Sequence, residues 1–293
     1  TLTLPGQSID TGPAGLILAS KGGELATAAT LRGANVSLTG ADGIHLGHDV
    51  VAPTVTLHSG ASISQAGGVL QMDSLPLNAG SSVSLDDENQ MAELGDVDVG
   101  GNFSRRNVPA IRQAEETSVA IDGDASFSSG GGITLANTGN RFGGEVGLSG
   151  GAAEISAADA RRLGDLAVDS LVAESQGTLN LGRGTVVGDL EATSDGDIGQ
   201  SGALAVGGTG TLDAADGAIM LDEAGNDFAG LVHLAGGAVS IVDANALALG
   251  DVDVASLAVT SHGDLGLGRG TIAGDLAARS NGGAIGQSGG LRV

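Results

Sequence analysis

Cysteine, tryptophan and tyrosine are absent from this 293-residue chain, phenylalanine occurs four times, and the single lysine is Lys21. Each shortage excludes something. Without cysteine there is no disulfide framework, a fact that suits either the cytosol or a secreted protein that stays unfolded during export. Without large rings a wide core is hard to fill, so the 41% of apolar residues, mostly Ala, Val, Leu and Ile, suit a narrow core continuous along an axis. Twelve basic against 35 acidic residues give a formal charge of −23. That balance argues against nucleic acid, whose phosphates need a basic face, and against anionic lipid; it also keeps a soluble surface from self-association. No apolar run reaches the length of a membrane span. There is no starting methionine, signal-like region or terminal targeting motif. The chain opens mid-pattern at Thr1-Leu-Thr-Leu4 and stops mid-pattern at Leu291-Arg-Val293, so it is expected to be a piece of something longer.

What the chain has is glycine, 53 residues of it, and repetition. A block beginning at Asn140 returns 86 residues later at Asn226: Leu163-Gly-Asp165 maps onto Leu249-Gly-Asp251, Leu181-Gly-Arg-Gly-Thr185 onto Leu267-Gly-Arg-Gly-Thr271, and Gly188-Asp-Leu190 onto Gly274-Asp-Leu276. Short segments such as Val36-Ser-Leu-Thr39, Val55-Thr-Leu-His58, Val83-Ser-Leu85, Ile133-Thr-Leu135 and Thr178-Leu-Asn-Leu181 alternate apolar and polar residues, and pairs such as Asp122-Gly123, Asp195-Gly196 and Asn281-Gly282 separate them. That is strand and turn chemistry. No sustained helical period is present, and the alternation together with positive mean hydropathy argues against disorder.

Spacing separates a solenoid from a meander. Ile-x-Gln occurs at Ile63, Ile111, Ile198 and Ile285, with steps of 48, 87 and 87 residues, and Leu-Gly-Asp occurs at Leu94, Leu163 and Leu249. The early unit is short by blocks of roughly 18 to 21 residues, lost at two places. Losing one strand of a meander reverses all that follows, whereas losing one whole coil of a parallel solenoid leaves the rest in register. The expectation is an all-β fold, a parallel β-helix (β-solenoid), running as one continuous element over 1–293, with repeat units at approximately 54–139, 140–225 and 226–293, the last incomplete. Stacking roughly 14 to 16 coils at a strand spacing of ~4.8 Å gives a rod on the order of 70 Å. Ile63, Ile111, Ile198 and Ile285 are the expected inward stack, with glycines at corners needing φ > 0. Residues 101–120 break the rhythm with Arg105, Arg106, Pro109, Glu115 and Glu116. A loop insertion is expected there, and Arg105 and Arg106 are the candidate partner-binding residues, since loops on rigid scaffolds often carry binding.

Little catalytic chemistry is encoded. Asp96 with Asp98, and Asp251 with Asp253, share one strand face, but they recur with the repeat as structural elements do. His45, His48 and His58 read as surface or turn residues, because positions three apart on a strand point to opposite faces. Asp122, Asp124, Asp195 and Asp197 read as turn formers before calcium ligands. No zinc pattern, phosphate loop or nucleophile elbow occurs, so no catalytic residue, cofactor or metal is expected and the chain reads as a non-enzyme.

The phrases Asn226-Asp-Phe-Ala-Gly230, Gly236-Gly-Ala-Val-Ser-Ile241, Asp243-Ala-Asn-Ala-Leu-Ala-Leu-Gly-Asp251, Gly270-Thr-Ile-Ala-Gly-Asp-Leu276 and Ala284-Ile-Gly-Gln-Ser-Gly289 resemble the shaft repeats of filamentous-haemagglutinin-like exoproteins, large adhesins exported by two-partner secretion. The similarity is best from about 60 to 293 and rests on repeat texture. It implies a secreted, right-handed parallel β-helix at the bacterial cell surface, serving attachment, aggregation, biofilm or virulence. Its implied partners are an outer-membrane transporter during export and surface glycans or proteins thereafter, with neither nucleic acid nor membrane insertion. The export domain's Asn-Pro-Asn motif and an Arg-Gly-Asp tripeptide are absent. A glycan- or protein-binding module using the helix side or residues 101–120 is the alternative; a β-helix polysaccharide lyase or hydrolase ranks third.

Overall fold

The structure, a computed structural model, describes residues 1–4 and 6–293. Among the described residues every regular element is a strand and none is a helix. The strands pair in parallel and stack as a β-solenoid of about 15 turns. The parallel β-helix expected from the missing blocks is therefore the fold. Two compact units are distinguishable, Thr1–Val146 and Gly147–Val293, and both are built on the same rules.

In the first unit, residues about 20 apart come into register on successive coils. Leu25, Ile44, Ile63, Val83, Phe103 and Ala125 form one inward column, and Leu38, Leu57, Leu77, Val97 and Val119 form a second. A third joins Leu31, Val50 and Leu70. All of these are buried. Their alternation with outward polar residues explains the period of two in the sequence, because successive strand side chains point to opposite faces. The second unit repeats the scheme with Leu179, Ile198, Ile219, Val239 and Leu257. The rings of Phe103, Phe127 and Phe142 thicken the core of the first unit, with centroids 5.4 and 6.4 Å apart.

Ile63, Ile111 and Ile198 point inward as expected. They do not stack on one another: Ile63 sits between Ile44 and Val83, Ile111 beside Ile133, and Ile198 between Leu179 and Ile219. Ile285 pairs with Leu265 on the last coil present and is 49% exposed.

The segment 101–120, expected as a loop, runs instead within the solenoid. Phe103–Asn107 is a strand paired in parallel with both neighbouring coils, and Ile111–Arg112 pairs with Ile133–Thr134. Its charged residues disguised an ordinary coil.

Corners are made by short side chains. Ser59, Ser129, Ser175 and Ser194 each accept a backbone N–H two residues ahead, and Asp243 does the same toward Asn245. Glycine is demanded at two places in each 86-residue copy: Gly182 and Gly268 have φ of 68° and 66°, Gly184 and Gly270 of 126° and 134°. A Cβ on Gly184 or Gly270 would run into the carbonyl of Leu166 or Val252 on the preceding coil.

Candidate functional site

Side-chain chemistry on this fold collects in three places: grooves on the coil sides, a buried amide network, and an acidic bulge over Arg105 and Arg106.

The bulge lies where the strand Val83–Val99 meets Phe103–Asn107. Leu85 is in register with Arg105 and Asn89 with Asn107, so Asp86-Asp-Glu88 is accommodated opposite Arg106 alone. Asp86 accepts from the hydroxyls of Ser84 and Ser104 at 2.5 and 2.8 Å, and Glu88 pairs with Arg106 at 3.2 Å. Arg106 is exposed, as a partner-binding residue would need to be. Arg105, two positions from the inward Phe103, faces the core between Leu85 and Phe127 and is 1% exposed. Among the described residues no acceptor meets its Nε, Nη1 or Nη2. Burial pushes its guanidinium down to about 9. Arg105 therefore offers nothing to a partner at the surface, and the strand alternation that the loop assignment ignored is the reason.

The Ile-x-Gln element is half of a buried clamp. Gln65 pairs with Asn89, Gln113 with Asn140, and Gln200 with Asn226, in each case through two amide-to-amide hydrogen bonds of 2.7–2.9 Å. Each asparagine Oδ1 also accepts a backbone N–H, from Leu70, Val119 and Leu204, and each Nδ2 donates to a leucine carbonyl, of Leu85, Leu135 and Leu221. All three asparagines are completely buried. Asn140 and Asn226 open the 86-residue repeat, so the signal lay in the sequence, but glutamine and asparagine were not read as partners.

Two grooves are lined by the repeated Asp-Val-Asp strand. In the first unit Asp96 and Asp98 face a groove of about 460 Å³ with His58, Pro76 and Asn78. Asp96 accepts the N–H of Ser118, and Asp98 accepts from the Asn78 amide. In the second unit Asp251 and Asp253 face one of about 360 Å³ with Asp213, His233 and Arg269. The Asp251 carboxylate lies 2.5 Å from Arg269 Nε and 3.2 Å from His233 Nδ1. The Arg269 hydrogen bond, before any other influence, draws that carboxyl below its ordinary range. The Asp251 N–H also donates to His233 Nδ1. The equivalent pair one repeat earlier, Arg183 with Asp165, closes to 2.7 Å. Of the paired carboxylates that resemble an acid–base dyad, Asp96, Asp98 and Asp251 thus each spend an oxygen on the neighbouring coil.

The remaining sequence candidates are dispersed. His45 contacts Ser64 Oγ at 2.6 Å, and His58 stands in register with Asn78. Asp124 and Asp197 accept the backbone N–H of Glu145 and Ala218 on the next coil. Asp49, Asp189 and Asp264 do the same, so turn aspartates tie coils together. Among the described residues no group of three acidic or imidazole side chains is placed to hold a metal ion.

A third groove, of about 590 Å³, crosses successive coils of the first unit between Asp10 and Pro109.

The family described as Repeats of unknown function (DUF5649) matches residues 33–93, 80–149, 164–235, 236–266 and 256–293. The chain belongs to this family. Its matched segments overlap at 80–93 and 256–266 and do not keep the 86-residue phase. Such overlap fits a family whose register recurs with every coil. No match was found among curated proteins or among solved structures.

Proposed function

We propose that the chain is the shaft of a secreted bacterial surface adhesin of the filamentous-haemagglutinin type, a non-catalytic spacer that carries binding regions away from the cell. The observation that carries this reading is the repeated use of nearest-neighbour ties. Columns of aliphatic side chains, Asn–Gln clamps and aspartate caps each join one coil to the next, so the parts add along one direction. Carboxylates that a hydrolase would need free are among those ties. The absence of cysteine and the charge of −23 suit a chain that crosses an envelope unfolded and stays dispersed outside it.

The test is surface display. The 293 residues are placed behind a two-partner-secretion export domain and expressed with its transporter. Intact cells are then probed with antibody and protease. The reading expects the segment outside the cell, protease-resistant once folded. Retention inside the envelope with the transporter working on its own substrate would reject it.

A further inference from the structure

The groove between Asp10 and Pro109 differs from the other two in what its side chains are doing. Asp10, Arg32, Val51, Gln71 and Gln90 lie in one register column on five successive coils. At a coil spacing of ~4.8 Å the column extends for about 19 Å along the coil axis. Beneath it lie the buried Ala52, Met72 and Met91, and the exposed Pro53 and Pro109 border it. Asp98 and Asp251 in the other grooves are committed to neighbours. Here the amides of Gln71 and Gln90 and the guanidinium of Arg32 are exposed and bond to no other described group of the chain; Asp10 alone is engaged, accepting the Gly12 N–H.

We infer that this groove binds an extended, uncharged glycan laid along the coil axis. A carboxamide presents a donor and an acceptor side by side, and a guanidinium a rigid fork of donors. Gln71 and Gln90 lie one coil apart and Arg32 two coils from Gln71, across Val51, so these groups match a polymer that offers hydroxyl pairs at whole-coil steps. The exposed rings of Pro53 and Pro109 supply apolar surface for sugar C–H groups, the mixture of apolar lining and few polar groups found in ligand sites. A neutral polymer is favoured over a polyanion because the chain carries −23 and Arg32 is balanced by Asp10 and Asp73 within the groove. It is favoured over an added peptide strand because the backbone here is spent: Thr11, Gly33 and Ala52 already donate to Arg32, Val51 and Gln71.

The experiment is a calorimetric and NMR titration of the purified 293-residue chain with neutral cello-, malto-, xylo- and chito-oligosaccharides, from disaccharide to hexasaccharide. One series binds, affinity rises with length and then levels off, and the shifted resonances are those of the groove. The double variant Gln71→Ala/Gln90→Ala weakens binding at least tenfold, while Thr211→Ala in the second unit leaves it unchanged. Both glutamine side chains are exposed, so circular dichroism of the double variant matches that of the parent. Failure of every series at millimolar concentration, or binding unaffected by the double variant, overturns the inference. So does tighter binding in the same groove by a tetralysine peptide or a heparin oligosaccharide. This readout on isolated protein is independent of surface display, so either proposal can fail alone.

Discussion

Gln113 and Asn140, 27 residues apart, exchange two hydrogen bonds, Gln113 Nε2 donating to Asn140 Oδ1 at 2.7 Å and Asn140 Nδ2 to Gln113 Oε1 at 2.9 Å. Gln200 and Asn226 repeat the arrangement in the second unit. The two members are not equivalent. Asn226→Ala strips acceptors and donors from Leu204, Leu221 and Gln200 together, and leaving such groups orphaned costs about 3 kcal/mol. Gln200→Ala leaves the backbone bonds of Asn226 in place and costs about 1 kcal/mol. Urea midpoints for the two variants should fall in that order; equal losses would mean that the asparagine's backbone bonds contribute nothing.

Glycine at the Leu-Gly-Arg-Gly corner is the next case. Gly270→Ala forces a side chain into positive φ and into the Val252 carbonyl, for a loss of about 2 kcal/mol. Gly286→Ala meets nothing within 4 Å and should leave thermal unfolding unchanged. A Gly270→Ala protein as stable as the parent would refute the corner geometry.

Arg105 gives a prediction at alkaline pH. Burial holds its guanidinium at about 9, well below the ordinary arginine range. Below pH 9 the group is charged in both states and the cost of burying that charge is fully present. Above pH 9 the folded form releases the proton while the unfolded form keeps it, so stability rises with pH, by up to about 1.4 kcal/mol per unit. With one lysine and neither tyrosine nor cysteine, few other groups titrate in that range; Arg161, which burial pushes down to about 10, is one of them. Arg105→Met should raise the urea midpoint at pH 7 and remove the rise that begins at pH 9, leaving the one that Arg161 contributes above pH 10. A parent and variant with parallel pH profiles would contradict the burial of an uncompensated guanidinium.

Whole-coil deletion tests the register directly. Gly40 pairs with Ser59, so removing residues 41–59 brings Leu25 over Ile63 and Leu31 over Leu70, the partners their common neighbours already have. The deleted protein should keep its β-sheet circular dichroism and cooperative melting, whereas removal of residues 41–49 alone should unfold the first unit. Equal tolerance of both deletions would count against the stacked-coil register.

The repeat itself shows what a sequence can disclose about such a fold. Strand alternation and missing coil-length blocks sufficed for the solenoid, because a column such as Ile44–Ile63–Val83 needs only apolar residues at a constant interval. The inward turn of Arg105 was illegible for the converse reason: polarity marks exposure only on average, and Arg105 occupies an inward position of the alternation it shares with Phe103 and Asn107. The clamps were missed because their partners lie 24 to 27 residues apart, a distance at which no local pattern links glutamine to asparagine. The groove over Arg32, Gln71 and Gln90 was hidden likewise, since an arginine and two glutamines on separate coils share nothing but register.

The clamps also bear on how the gene can change length. A coil may be duplicated or lost without disturbing the aliphatic columns, yet a crossover between the codons for Gln65 and Asn89, or between those for Gln200 and Asn226, separates two halves of one buried pair. Recombination breakpoints that survive selection should therefore fall outside those intervals. Outside those intervals the smallest heritable parcel is one coil; within them it is the whole clamp, glutamine through asparagine.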